Sequence, residues 1–283
     1  MAELTADELA RANDLLVDQG VDPTDHAGSQ VFNDYSEMLS LLEPEERSLV
    51  LQLTEDYMRC RWLEYSELML RAFASIPSQA FAAIKTVVVL PLAETGKNGK
   101  PKSSAALVYP CRYEVLPSVP SLASKKLHLL ERLNLLPELF PNRTNTLLVF
   151  VDDFIGSGNS ALKTIKRYRS TFSSPDDEVL VIALVAQQQG LDVLTRKRVP
   201  YAVAIKRSKG ITDSVRIANK VRAHRVMARL ERRLGVPREY RRGYRRCEAL
   251  ITMMRTPNNT FPVFWYPHLA SGARWPAPFR REA

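Results

Sequence analysis

Residues Thr146-Leu147-Leu148-Val149-Phe150-Val151 form an unbroken apolar run that ends abruptly on two carboxylates, Asp152 and Asp153. A strand with one wet face alternates apolar and polar residues. An unbroken run requires burial on both faces, as in a parallel sheet covered by helices on either side. Thr86-Val87-Val88-Val89-Leu90 repeats the pattern upstream. Further strands are predicted at 105–109, 179–185 and 201–205, and helices at about 122–136, 159–172 and 191–197. Strands alternating with helices over short links give an α/β fold with a mainly parallel sheet flanked by helices, whose ligands bind beyond the carboxyl ends of the strands.

At 283 residues the chain is long enough for one such core plus an appendage. Residues 1–80 read as an acidic helical accessory region, without strands. Pro44 and the acids Glu43, Glu45 and Glu46 suit the start of a long helix that runs to Ile76-Pro77. Residues 81–212 hold the α/β core, and 213–283 form a basic helical arm with an aromatic, proline-rich end. The net charge of +9 is unevenly placed: residues 1–60 carry 14 acids against 3 bases, and residues 196–246 carry 18 bases against 3 acids. Two such surfaces imply different partners.

No apolar run spans a bilayer, and the start carries Glu3, Asp7 and Glu8 rather than a basic leader. A cytoplasmic protein without membrane contact is expected. Cys60, Cys111 and Cys247 are widely separated, and His26, His128, His224 and His268 lack metal-ligand spacing. Buried thiols are expected, and no direct metal site.

After the acidic pair comes Phe154-Ile155-Gly156-Ser157-Gly158-Asn159-Ser160. The glycines let backbone turn tightly and approach a ligand, and small hydroxyl residues suit the cap of the next helix. Free N–H groups and the helix dipole favour a phosphate there. The carboxylates beside it suit ribose hydroxyls or an attendant magnesium. A phosphate receptor next to a diol receptor describes a site for ribose 5-phosphate. The competing reading is a well-capped turn with no ligand.

The segment resembles the phosphoribosyl-pyrophosphate signature of type I phosphoribosyltransferases: four apolar residues, two acids, three spacers and a Thr/Ser-Gly-x-Thr/Ser loop. The resemblance implies that Asp152 and Asp153 act on the ribose as the catalytic pair, and that Gly156, Ser157, Gly158, Asn159 and Ser160 wrap its 5-phosphate. It also implies magnesium accompanying the ligand, and phosphoribosyl pyrophosphate or a related nucleotide as that ligand. Asn159 stands where the family commonly has a second glycine. The candidate pyrophosphate loop, with Lys100, Lys102, Ser103 and Ser104, departs from the short loop of the housekeeping enzymes, and a plain solvated loop is its other reading.

Residues 99–104, Lys209-Gly210-Ile211-Thr212-Asp213, and Met254 to Thr260 leading to Phe264-Trp265 are similar to a divergent branch found in bacterial conflict and anti-phage loci such as retrons. Over residues 55–267 this implies an effector or effector subunit, partnered by a nucleoprotein such as a reverse transcriptase with its RNA and DNA, as a homo- or hetero-oligomer. The alternative is a sensing or nucleic-acid-binding scaffold that keeps the pocket without the reaction. Asn258 and Asn259 are either turn residues or base readers, and Phe261, Phe264, Trp265 and Tyr266 either pack the domain or stack on a base. Arg216, Lys220, Arg222, Arg225, Arg229, Arg232 and Arg233 lie along one predicted helix, continued by Arg238, Arg241, Arg242, Arg245 and Arg246. Nucleic acid, the acidic residues 1–60, or solvent would neutralise them.

Overall fold

The computed structural model describes residues 4–93 and 103–281. The chain opens with helices α1 (Ala6–Asp18), α2 (His26–Ser40) and α3 (Pro44–Glu55) and a short strand, β1 (Met58–Arg59). There follow α4 (Tyr65–Ala74), β2 (Thr86–Pro91), α5 (Ser103–Pro110), α6 (Pro120–Ala123), β3 (Lys126–Leu129) and α7 (Leu136–Leu139). Next come β4 (Thr146–Ile155), α8 (Asn159–Thr171), β5 (Asp177–Gln187), α9 (Gln188–Arg196) and β6 (Tyr201–Arg207). Helix α10 (Lys220–Arg233) and strand β7 (Ile251–Thr252) complete the series. The chain divides into two units, residues 61–207 and residues 1–60 with 208–283.

The first unit is the α/β body. Five parallel strands run in the order β3-β2-β4-β5-β6. Val88, Leu90, Leu148, Phe150, Val181 and Ala183 cluster with Ala161, Ile165 and Tyr168 of α8 and Leu191 and Leu194 of α9, all buried. Helix α4 packs on β5 and β6, and α5 on β2 and β4. At the base of the sheet Arg143 and Asp177 form a buried ion pair, Nη2 to Oδ2 2.9 Å and Nε to Oδ1 3.0 Å. The Tyr168 hydroxyl (2.6 Å) and the Ser174 N–H (2.9 Å) also donate to Asp177. This knot lies where the β4–β5 register begins, at Thr146↔Asp177.

Three expectations need correction here. The strand predicted at 105–109 is helix α5. Its burial runs in pairs, with Leu107 and Val108 inside and Ala106 and Tyr109 outside, a helical period that a short apolar run conceals. The helix predicted at 122–136 is instead α6, β3 and α7. Among the described residues strand β3 pairs only with β2, and an edge strand does not need an apolar run. The long helix predicted from residue 44 to 76 is broken into α3 and α4 by β1, a strand in a region where none was expected. Strand β1 pairs with β7 through Met58↔Ile251, a contact that no local pattern encodes.

The second unit joins the acidic head to the basic tail. Tyr35, Met38 and Leu39 of α2, Leu49 and Leu53 of α3, and Val226, Met227 and Leu230 of α10 share one core with Phe261, Phe264 and Trp275. Around it the opposite charges meet. Arg222 and Arg229 both bind Glu45, whose carboxyl is held below its ordinary pKa by those hydrogen bonds. Arg233 reaches Glu46 at 2.9 Å, and Arg216 reaches Asp56 at 3.2 Å. Arg274 and Arg280 converge on Asp34. Carboxylates of the same unit therefore meet Arg216, Arg222, Arg229 and Arg233. Among the described residues none pairs with Lys220, Arg225 or Arg232. Cys60, Cys111 and Cys247 are buried, and among the described residues none is in a disulfide. Among the described residues no helix is long and apolar enough to cross a membrane.

Candidate functional site

The chain leaves β2 toward β3 on one side and returns to β4 on the other, so the connections diverge between β2 and β4. Such a switch point opens a crevice at the carboxyl ends of the two strands. Strand β2 stays paired with β4 only to Pro91↔Val151, whereas β5 follows β4 to Ile155↔Ala186. Asp152 and Asp153 are the first residues beyond that divergence.

The two acids are unequal. Asp152 is half-buried, while Asp153 is only 5% exposed. Burial raises the Asp153 carboxyl above its ordinary pKa, against the pull of a hydrogen bond from the Ser103 hydroxyl at 2.8 Å. The backbone N–H of Asp153 donates to Asp152 Oδ1 at 3.1 Å. Asp152 is thus the more accessible of the pair, and Asp153 is fastened to the start of α5.

Gly156, Ser157 and Gly158 are buried, and Asn159 and Ser160 stand exposed in the first turn of α8. The expected hydroxyl cap is not made. Gly158 occupies the cap position in the left-handed region, φ 75°, and as a glycine brings no side chain to cap the first turn. The uncapped N–H groups of a helix start are an anion receptor. The reason for glycine at 158 also differs from expectation. A Cβ there would meet the Gly190 carbonyl oxygen at 3.0 Å and Val193 Cγ1 at 3.2 Å, so the space it spares faces α9 rather than a ligand.

Gly190 itself escaped sequence reasoning. A Cβ on it would sit 2.4 Å from the Gly156 carbonyl oxygen and 3.2 Å from the Gly158 nitrogen. It lies just before the helix predicted at 191–197, where an isolated glycine reads as ordinary loop. Thr164 was missed as well; its hydroxyl donates to the Leu92 carbonyl at 2.6 Å, joining α8 to the end of β2.

Of the pyrophosphate candidates, Lys100 and Lys102 lie outside the described residues. Ser103 reaches Asp153, as above. Ser104 is fully buried, donating to the Ala93 carbonyl at 2.7 Å and accepting from the Ala93 N–H at 3.2 Å. Among the described residues no group of three or more His, Cys, Asp or Glu gathers for a metal. Two carboxylates at one strand end fit magnesium, which binds through one or two carboxylates while phosphates and water supply the rest.

The other segments singled out in the sequence belong to the second unit. Thr260 N–H donates to the Pro257 carbonyl at 3.1 Å, which makes 257–260 a turn. Asn259 Nδ2 donates to the Tyr244 carbonyl at 3.1 Å. Phe261 and Phe264 are fully buried, and Trp265 Nε1 donates to the Thr260 carbonyl at 2.8 Å, so these rings pack the unit. Thr212 donates through both its N–H and its hydroxyl to Glu248, each at 2.8 Å.

A family model described as PRTase-CE matches residues 35–281. No curated protein matches the chain. Solved structures that resemble it include orotate phosphoribosyltransferase from Aeropyrum pernix, at 17% identity over 51% of this chain and 70% of that one, with a TM-score of 0.26. A second is Mycobacterium tuberculosis orotate phosphoribosyltransferase in complex with 5-phospho-alpha-D-ribosyl 1-diphosphate, at 13% identity over 71% and 96%, with a TM-score of 0.29. Both scores are low, and the fold assignment rests on the sheet order and the family match.

Proposed function

The chain belongs to the PRTase-CE family, within the phosphoribosyltransferase-like superfamily, and from that premise we propose that the β2–β4 crevice binds phosphoribosyl pyrophosphate or a related nucleotide. The observation that carries this reading is the pair Asp152 and Asp153 placed where β4 outruns β2, directly before the uncapped start of α8. Asp152, the more accessible acid, takes hydrogen bonds from the ribose hydroxyls. The N–H groups of Asn159 and Ser160 hold the 5-phosphate.

In transfer, the bond from the anomeric carbon to the diphosphate oxygen breaks, its electron pair leaves with pyrophosphate, and an acceptor nucleophile bonds to the same carbon. Positive charge develops on the sugar ring, and the fixed carboxylates lie beside it before reaction begins. Asp152 and Asp153 are the carboxylates that would hold a magnesium ion accompanying the ligand, and such an ion would supply charge neutralisation for the diphosphate.

A sensor that binds without transfer is the second reading. It is favoured by Ser104, whose hydroxyl is tied to Ala93 and is not free for a diphosphate. On the resemblance of residues 99–104, 209–213 and 254–260, either form serves as an effector subunit of a bacterial anti-phage complex. Titration of labelled phosphoribosyl pyrophosphate with magnesium, followed by assay of released pyrophosphate, tests the proposal. Binding with release supports transfer, binding without release supports the sensor, and no binding at all overturns both.

A further inference from the structure

The segment from Arg242 to Glu248 is held in an unfavourable backbone shape. Arg242, Arg245, Arg246 and Glu248 have φ of 60°, 59°, 55° and 50°, and Gly243 lies among them at 73°. Side chains rarely adopt this region, and such clusters persist only where the surroundings over-determine them.

The surroundings here do so. Glu248 is fully buried and accepts from the N–H groups of Ile211 (3.1 Å) and Thr212 (2.8 Å) and from Arg242 Nε (3.0 Å). Glu231, 1% exposed, accepts the backbone N–H of Arg242 at 2.6 Å. A Cβ at Gly243 would lie 1.8 Å from the Asn259 carbonyl oxygen, so the chain passes there as close as backbone allows.

The strained segment contributes to a cavity of about 350 Å³ lined by Arg238, Glu239, Arg241, Tyr244, Arg245 and Arg246. Four guanidiniums face one carboxylate. Arg216, Arg222, Arg229 and Arg233 have their charge met within the unit, and Arg241 is near enough to Glu231 to act on its carboxyl, yet among the described residues no carboxylate lies within 4.0 Å of the Arg238, Arg241 or Arg246 guanidinium. Arg241 Nε donates to the Val236 carbonyl at 3.1 Å, and the Arg245 guanidinium lies 5.8 Å from the Tyr244 ring centre. Cations gathered this densely repel one another unless an anion joins them. Planar guanidiniums match phosphate oxygens in bidentate fashion, and the cavity has the size of a small-ligand site.

We propose that this arginine pocket is a second, phosphate-binding site, which takes the phosphates of a nucleotide either free or within a nucleic-acid strand. It belongs to the helical unit and shares no residue with the crevice in the sheet unit.

The test uses the full chain, a fluorescent single-stranded oligodeoxynucleotide, and ATP as competitor. The double variant Arg245→Gln/Arg246→Gln changes two exposed side chains. The control is Arg225→Gln/Arg232→Gln, on α10. Wild type is expected to bind the strand, with a log–log salt slope that the pocket variant makes shallower by about one to two, while its thermal midpoint and the control's binding stay at wild-type values. Displacement by ATP identifies free nucleotide as sufficient; strand binding that ATP leaves intact identifies the polymer. Equal losses in pocket variant and control, unchanged binding in the pocket variant, or affinity of wild type for neither probe would each overturn the site.

Discussion

Replacing Gly190 with alanine is expected to push the Gly156–Gly158 loop off α9 and to weaken phosphoribosyl pyrophosphate binding by about tenfold or more, the equivalent of roughly 1.4 kcal/mol. The new Cβ would lie 2.4 Å from the Gly156 carbonyl oxygen and 2.9 Å from Ile155 Cγ2. Ile155 is the last residue of β4 and Gly156 opens the connection to α8, so relief of the clash moves the loop proposed to hold the phosphate. Overpacking of this kind costs about 1–3 kcal/mol, and the better helix propensity of alanine offsets up to about 1 kcal/mol. The net stability cost, about 0–3 kcal/mol, is therefore of the same order as the loss of binding. Thermal unfolding and ligand titration on the same sample separate the two effects, and unaltered affinity in a folded Gly190→Ala protein would mean the loop does not touch the ligand.

The largest stability effect is expected at the base of the sheet. Arg143→Met leaves Asp177, whose side chain is fully buried, without its cation. Removing one partner of a buried pair costs about 3–5 kcal/mol, because the remaining charge is uncompensated. The midpoint of urea unfolding should fall accordingly. Adding Asp177→Asn to Arg143→Met should recover part of the loss, since the orphaned charge goes too. A single variant as stable as wild type would show that the pair does not hold the β4–β5 register.

What the sequence discloses follows from how locally each feature is determined. β4, β5 and α8 were legible because burial on two faces, or on one helical stripe, is written into consecutive residues. The acidic pair and its loop were legible because they follow β4 without a break. Edge strand β3, with one neighbour among the described residues, left no comparable signature, and α5 was hidden in a run too short to show a period. The charge asymmetry was plain, but that Arg222 and Arg229 meet Glu45 depends on the fold returning the tail to the head. Gly190 was invisible for the same reason, since its constraint comes from Gly156 in another element. The backbone strain near Arg245 is likewise set by buried Glu231 and Glu248, not by its own residues.

Titration of phosphoribosyl pyrophosphate with magnesium into wild type and into Asp152→Asn/Asp153→Asn tests the crevice most directly. Each lost hydrogen bond to a charged group is worth about 1.5–3 kcal/mol, so the double variant should bind on the order of a hundredfold more weakly or not measurably. Its thermal midpoint should match or exceed that of wild type, because Asp153 is a carboxylate that burial already disfavours in its charged form. Wild-type affinity in the double variant, or loss of the fold itself, would contradict the assignment of these acids to a ligand.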